Sequence, residues 1–347
     1  MKPKVVHLVD ELNPLGVMVA LRSLCQSELH HEFDFDIRQV NFSRPFILNG
    51  KVDIICIHGA ASWHKLSTLL WLRLRYPKTP IIFQEHYYSQ GFVEHEIDSP
   101  QRFYTMLALT YKLMDKVVAL SPSQKQWMLS NDLLYEEKVA LLGQGRELKS
   151  LSPTAEFSVA KSDRSYPVFA AYGQFHRQKG FDILLEAMHL LPKGCCQLRL
   201  GGEGEDEPLL RAVSQGLNNV EWVGRIDDVS GFLANCDAVV IPSRWEPFGL
   251  MFDESLVMGK AVIPSLVDGL GDQCAAINES CDVWPIAELT PKGLAQVLYS
   301  FVEEWRLRQQ GRHYVCVVDV TPEIEFQWHT VQMHWQDLLE SQLPANF

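Results

Sequence analysis

A chain of 347 residues is long enough for two hydrophobic cores, and 47% apolar with 21% charged residues excludes wholesale disorder. The net charge of −12 is uneven: residues 1–150 carry 17 basic against 16 acidic side chains (+1), residues 151–347 carry 14 against 27 (−13). That balance excludes bulk nucleic-acid binding, which needs a basic face, and leaves only the near-neutral first half able to meet an anionic membrane surface.

Met1-Lys2-Pro3-Lys4 runs straight into Val5-Val6-His7-Leu8-Val9 without a signal-peptide layout. Further strands are expected after this first one (4–9), at 35–40, 53–58, 80–85, 116–120 and 138–142. Helical periodicity fills 17–29, 63–75, 101–114 and 123–130. Residues 148–167, rich in Ser, Pro and charge, show neither period and read as a linker. Alternation restarts with strands near 168–172, 196–200, 220–223, 238–242 and 261–264, and helices near 181–191, 207–216, 249–258 and 291–309. A last helix is expected at about 324–342. Short apolar strands separated by helices specify parallel sheets covered on both faces. The expectation is two similar α/β domains, 1–150 and 165–323, with 324–347 closing the chain. Such sheets bind ligands beyond the carboxyl ends of their strands, so a cleft between the two domains is the expected site.

No run of about 18 apolar residues occurs, which points to a cytoplasmic protein. The eight cysteines lie mostly in apolar runs, with no Cys-x-x-Cys and no zinc spacing, and read as buried thiols.

The densest motif is Arg244-Trp245-Glu246-Pro247-Phe248-Gly249-Leu250-Met251-Phe252-Asp253-Glu254, directly after strand 238–242. Pro247 and Gly249 predict a tight turn into a helix, with Glu246 before it and Glu254 about one turn inside. Amides of residues 248–250 at such a helix start face an anion. A carboxylate accepts paired sugar hydroxyls, so two of them around this turn suit a phosphorylated sugar. A charged helix start, favoured by the dipole, accounts for the same spacing.

Tyr172-Gly173-Gln174-Phe175-His176-Arg177-Gln178-Lys179-Gly180 offers two cations in a Gly-bounded turn, fit for a diphosphate or simply solvated. Gly202-Glu203-Gly204 begins a dinucleotide fingerprint that fails at Glu207, and its acidity repels a pyrophosphate. In the first half, Glu85-His86 ends a strand, and Asp10 to Gly16 joins the first strand to the first helix, where a Gly loop can cap a phosphate. Residues 63–75 put Trp63, Leu66, Leu70 and Trp71 on one side with Lys65, Arg73 and Arg75 nearby. A sheet-covering helix is favoured there over one lying on a membrane. No Walker loop, nucleophile elbow or Ser/His/Asp spacing appears.

Glu246 to Glu254 after Val239-Val240-Ile241-Pro242-Ser243, followed by Met258-Gly259-Lys260-Ala261-Val262-Ile263, resembles the donor-site signature of glycosyltransferase family 4. Gly173 to Gly180, Gly202-Glu203-Gly204, Val223-Gly224-Arg225, Asp237-Ala238-Val239-Val240 and Asp268-Gly269-Leu270 arrive in family order. The likeness is strong over 167–285 and looser before 150, through Val6 to Pro14 and Asp115 to Ser121. It implies a GT-B fold: two Rossmann-like α/β domains whose parallel sheets face a central cleft, an acceptor domain first and a donor domain second. It also implies retaining transfer of a hexose from a UDP- or GDP-linked donor to a sugar or lipid-linked acceptor, in polysaccharide or glycolipid assembly. The nucleotide sugar is a co-substrate; no metal and no cofactor are implied.

Carried over residue by residue, the resemblance implies that Glu246 holds hydroxyls of the donor sugar and Glu254 the ribose. Phe248, Gly249 and Leu250 lend amides, and Arg177 and Lys179 neutralise the leaving diphosphate. Gly16 lies under the phosphates from the first domain, Gly173 is among the donor-binding residues, Arg225 borders the base, and His86 lines the acceptor side. The last helix crosses back onto the first domain. Tyr87, Tyr88 and Trp63 read equally as acceptor-side groups or packing. The first domain also carries whatever peripheral membrane contact an inner-face acceptor demands. Three positions depart from the family pattern: Gln174 where Arg is frequent, Leu15-Gly16 where a glycine pair is usual, and no Glu within Asp268-Gly269-Leu270-Gly271-Asp272. A non-catalytic sugar-nucleotide-binding module and a sugar-nucleotide epimerase remain as alternatives.

Overall fold

The structure, a computed structural model, describes residues 2–10, 15–148, 151, 164–277, 281–311 and 319–344. The chain divides into two compact units, Met1–Glu147 with Phe326–Phe347 (unit 1) and Leu148–Glu325 (unit 2).

Unit 1 runs β1 (Lys4–Asp10), α1 (Leu15–Gln26), β2 (Asp34–Val40), β3 (Ile54–His58), α2 (Trp63–Arg75), β4 (Ile81–Gln84), α3 (Gln90–Glu96), α4 (Pro100–Lys112), β5 (Lys116–Ala119), α5 (Pro122–Ser130) and β6 (Val139–Leu141). Its six strands are parallel, in the order β2-β1-β3-β4-β5-β6. Alternation along each strand divides the apolar side chains between two faces. Val6, Leu8, Ile55, Ile57, Ile81 and Phe83 meet Leu69 and Leu72 of α2 and Met106 and Leu107 of α4. Val5, Ile54, Cys56, Ile82 and Val118 meet Leu24 of α1 and, from the chain's end, Val331, Trp335, Leu338 and Leu339.

Unit 2 runs β7 (Val168–Tyr172), α6 (Phe181–Leu190), β8 (Gln197–Gly201), α7 (Glu207–Val213), β9 (Val220–Gly224), α8 (Val229–Ala234), β10 (Ala238–Ile241), α9 (Leu250–Val257), β11 (Ala261–Pro264), α10 (Asp268–Ala276) and α11 (Pro291–Gln309). Its parallel strands take the order β11-β10-β7-β8-β9. The last helix, α12 (Thr321–Ser341), starts in unit 2, where Ile324 joins the core, and belongs to unit 1 from Phe326 onward.

Four expectations need correction. The stretch expected as a linker starts inside a core: Leu148 and Leu151 are buried against Val168 and Val239 of unit 2, while 149–150 and 152–163 lie outside the described residues. The thiols are not all buried. Cys56, Cys195, Cys196 and Cys236 are, Cys25, Cys274 and Cys281 are half-buried, and Cys316 lies outside the described residues. Helix α2 does cover the sheet, but through Thr68, Leu69 and Leu72, so Trp63, Leu70 and Leu74 face outward. Helices α3 (7 residues), α8 (6) and α10 (9) were not expected from the sequence pattern. Among the described residues no helix is long and apolar enough to cross a membrane.

Each sheet has one place where the chain reverses its direction of growth: between β1 and β3 in unit 1, and between β7 and β10 in unit 2. Connections leaving neighbouring strands there run to opposite faces and open a crevice beyond the strand ends.

Candidate functional site

In unit 2 that crevice is bordered by the loops leaving β7, β8 and β10, which approach backbone to backbone. Gly180 sits left-handed at φ 63° between a 3-10 turn (Arg177–Lys179) and α6, and a Cβ there would run into the carbonyl of Pro242. Gly202, at φ 140°, leaves no room for a Cβ against the carbonyl of Gly173. The Gly-x-Gly of residues 202–204 is therefore a packing device between loops. Only glycine permits such contact, which tethers the two charged segments to each other.

The tethered segments bring Lys179 and Glu246 together. Lys179 Nζ lies 2.5 Å from Glu246 Oε2, and Ser243 Oγ donates to the same oxygen at 3.1 Å. Glu246 is only 6% exposed. Behind this pair Arg244 clamps Asp182 through both guanidinium ends (2.8 and 2.6 Å) and donates to the Arg177 carbonyl at 2.7 Å. Its backbone amide donates to Gln178 O at 2.7 Å. Arg244 thus rivets the turn carrying Lys179 to the loop carrying Glu246. Forked Arg–carboxylate geometry suits such a rivet, and it holds the Asp182 carboxyl below the usual carboxylate range against a desolvation effect of opposite sign.

Glu246 precedes α9 and Glu254 lies within it, as the turn chemistry predicts. Glu254 is buried and accepts from the Tyr172 hydroxyl at 2.7 Å, which links α9 to the end of β7. The row of three open amides is corrected: Gly249 N donates to Gln273 Oε1 at 2.9 Å, and Gln273 Nε2 donates to Asp253 Oδ1 at 3.1 Å. Gln273 sits on α10, one of the unexpected helices, so nothing in the 244–254 motif announced it. Burial raises the Asp253 carboxyl to about 7, with the Gln273 bond opposing and Glu254 reinforcing. Asp268 Oδ2 accepts from Glu246 N at 3.2 Å, at the unusual φ of 42°. Arg225 pairs with Asp227 at 3.0 Å on an open surface, and Phe248 and Leu250 are half-buried. Tyr172, Ser243, Asp268 and Gln273 complete this constellation; the motif spacing signalled none of them as partners.

In unit 1, Asp10 ends β1 and pairs with Lys65 Nζ at 2.5 Å. Gly16 falls in the first turn of α1, with open space where a Cβ would be, while 11–14 lie outside the described residues. Glu85 is a fully buried core carboxyl. Its Oε1 accepts from the amides of Tyr87 (2.9 Å) and Tyr88 (3.1 Å), its Oε2 from the Tyr111 hydroxyl (2.8 Å), and burial lifts it to about 7 against those bonds. Tyr88 resolves as packing: it is buried and its hydroxyl donates to Ala61 O at 2.6 Å. Tyr87 is half-buried, and Trp63, 41% exposed, has the Arg102 guanidinium 6.0 Å from its ring centroid. His86 follows β4 and is half-buried; its Nε2 meets His58 Nδ1 at 3.0 Å and its Nδ1 meets Gln144 Oε1 at 3.1 Å.

A family model described as "Glycosyl transferases group 1" matches residues 166–303, the segment that carries the whole unit 2 constellation. The mannosylfructose-phosphate synthase of Agrobacterium fabrum is 22% identical over 232 residues, 61% of this chain and 48% of that protein. The lipopolysaccharide core biosynthesis glycosyltransferase LpsE of Rhizobium meliloti is 33% identical over 144 residues, 38% of this chain and 42% of that protein. The chain therefore covers less than half the length of either relative. Among solved structures, HepE of Anabaena in complex with UDP superposes with TM-score 0.72 at 16% identity, covering 98% of this chain and 100% of that one. Sucrose-phosphate synthase of Thermosynechococcus elongatus does so with TM-score 0.73 at 18% identity, covering 98% and 99%. Likeness at such identities is one of fold: two tandem doubly wound units make this a GT-B chain.

Proposed function

We propose that the protein is a retaining glycosyltransferase of the family 4 kind, moving a hexose from a UDP- or GDP-linked donor to the hydroxyl of a sugar or lipid-linked acceptor in polysaccharide or glycolipid assembly. The observation that carries the reading is the Lys179–Glu246 pair, 2.5 Å apart and largely buried at the unit 2 switch point. A half-buried cation beside a buried carboxylate is held by that pairing. In the free protein Glu246 is the partner; when a pyrophosphate enters, it takes over Lys179 and releases the carboxylate to accept sugar hydroxyls. Glu254, held by Tyr172, takes the ribose in this reading.

The slow event is cleavage of the bond between the anomeric carbon and the phosphate oxygen. It yields an oxocarbenium-like sugar and a diphosphate with added negative charge. Lys179, Arg177 and the N-terminus of α9 meet that charge where it grows, and each such group is typically worth a few kcal/mol when water is excluded. The acceptor oxygen bonds to the anomeric carbon on the face the phosphate leaves, and its proton passes to the departing phosphate oxygen. This route requires neither a protein nucleophile nor a metal.

The test is a melting screen against UDP, GDP, ADP and their sugars, since a ligand of the native state raises the midpoint with affinity. One nucleotide and its sugar are expected to stabilise. Incubation with that donor and an acceptor is then expected to release nucleoside diphosphate undiminished in excess chelator. An altered sugar formed from donor alone identifies an epimerase instead. Stabilisation without transfer on any acceptor leaves a binding module.

A further inference from the structure

Three histidines of unit 1 form a line at the switch between β1 and β3. His7 Nδ1 lies 2.8 Å from His58 Nε2, His58 Nδ1 lies 3.0 Å from His86 Nε2, and His86 Nδ1 lies 3.1 Å from Gln144 Oε1. Sheet register builds the line. Val9 pairs with His58 across β1 and β3, and His7, two residues back, shares that face. The face is the one covered by α12, whose Trp335 stands edge-on to His7 at 6.3 Å. Burial there drives the His7 imidazole down to about 3 and His58 well below its ordinary value, and removal from water takes His86 to about 4. All three rings are neutral at physiological pH.

Neutral rings allow two arrangements of protons. In one, every Nδ1 carries hydrogen, the Gln144 carbonyl accepts, and the line ends at His7 Nε2 as a bare lone pair. In the other, every Nε2 carries hydrogen, the Gln144 amide is turned to donate, and the line ends at His7 Nε2 as a buried N–H. His7 Nε2 is buried and has no partner among the described residues. Gln144 presents its carbonyl oxygen, which can only accept, to His86 Nδ1 at 3.1 Å, so that nitrogen carries the hydrogen. That carbonyl selects the first arrangement, in which the atom left over is the His7 Nε2 lone pair.

We propose that His7 and His58 are positioning residues that lock His86 as the Nδ1–H tautomer. His86 then offers only a hydrogen-bond donor toward the place held by the Gln144 carbonyl. Its one lone pair is consumed by His58, so His86 cannot take a proton from an acceptor hydroxyl. Each donor in the line also polarises the next, which strengthens the final N–H. The proposal rests on the transferase reading only for the oxygen that replaces Gln144, a sugar hydroxyl or a phosphate oxygen; the lock itself does not.

Long-range 15N–1H NMR on histidine-labelled protein at pH 7 decides it. All three rings are expected to show a protonated Nδ1 and a bare Nε2, with signals assigned by loss in H7F, H58F and H86Q. An Nε2–H or doubly protonated His86 overturns the lock. In H58F with an unchanged circular dichroism spectrum, His86 is expected to divide between both tautomers; a pure Nδ1–H signal there removes His58 from the role. H7F serves should H58F not fold, and a measurable Nε2–H fraction on His58 is expected. A His58 signal unchanged in H7F removes His7. A bound nucleoside diphosphate that moves the His86 Nδ1 resonance identifies a phosphate oxygen as the acceptor, and movement only with its sugar identifies a hydroxyl. These spectra need no turnover, so the lock stands or falls separately from the transferase reading, which fails if no nucleotide binds.

Discussion

At the switch point of unit 2 a lysine meets a carboxylate, Lys179 against Glu246, whereas at that of unit 1 three uncharged imidazoles stand in line beside a carboxyl, Glu85, whose oxygens are consumed by Tyr87, Tyr88 and Tyr111. The two units share strand order logic and helix coverage, so topology does not explain the difference. Desolvation does. In unit 2 the cation and the carboxylate lie side by side, 2.5 Å apart. In unit 1 desolvation strips the charge from His7, His58 and His86, leaving neutral rings joined nitrogen to nitrogen. One unit pairs opposite charges at its switch point and the other lines up neutral rings.

The largest effect that can break this contrast is Lys179→Ala. Removing one partner of a buried pair leaves Glu246 uncompensated, an expected loss of about 3–5 kcal/mol in unit 2 stability. Turnover is expected to fall by about 10²–10³. The double variant Lys179→Ala, Glu246→Gln is expected to recover the melting temperature but not turnover. Recovery of both by the double variant means that the pair only stabilises the fold.

Gly180→Ala comes next. It forces a side chain into a left-handed position facing the Pro242 carbonyl, so roughly 2–3 kcal/mol of destabilisation is expected, with the loops of β7 and β10 pushed apart. Calorimetry against Gly194→Ala gives the comparison. Gly194 also has a positive φ of 74° but an open surrounding, so only the strain of the backbone is incurred there. Equal losses in the two variants contradict the tethering of the loops.

The smallest effect sharpens the electrostatic side. Glu85 has its carboxyl raised to about 7 by burial, so the native state binds a proton that the unfolded state has already shed between about pH 4 and 7. Wild-type stability contributed by this group is therefore full at acid pH and declines as pH rises through 7. Glu85→Gln keeps an acceptor for the two amides and removes the titration. Its melting temperature relative to wild type is expected to rise between pH 5 and pH 8, by the equivalent of about 2 kcal/mol. A constant difference across that range shows that Glu85 stays ionised in the fold.

Much of the fold was legible before any coordinates. Strand 168–172 and helices 63–75 and 291–309 coincide with β7, α2 and α11, because a long periodic stretch declares its own geometry. The candidate site was legible in part. Glu246, Glu254, Arg177 and Lys179 stand out because they flank glycines and a proline at strand-to-helix turns. Gln273 was hidden because it lies on α10, 24 positions from Gly249, beyond the reach of local turn chemistry. His7 and His58 were hidden because a histidine in an apolar strand looks like any other buried residue until register gives it a neighbour. Tyr88 shows the converse: its motif left two roles open, and the Ala61 carbonyl within reach of its hydroxyl decided for packing.

The order of residues alone determined two α/β units, where their strands end, and which charged side chains stand at those ends, since periodicity and turn chemistry act over a few neighbouring positions. Only the tertiary structure decided which of those groups face each other: Lys179 with Glu246 across 67 positions, His7 with His58 across 51, Gly249 with Gln273 across 24. Pairings of that range follow from strand order and from the close approach that glycines permit. Burial, which sets whether a group keeps its charge, is a property of everything packed around it.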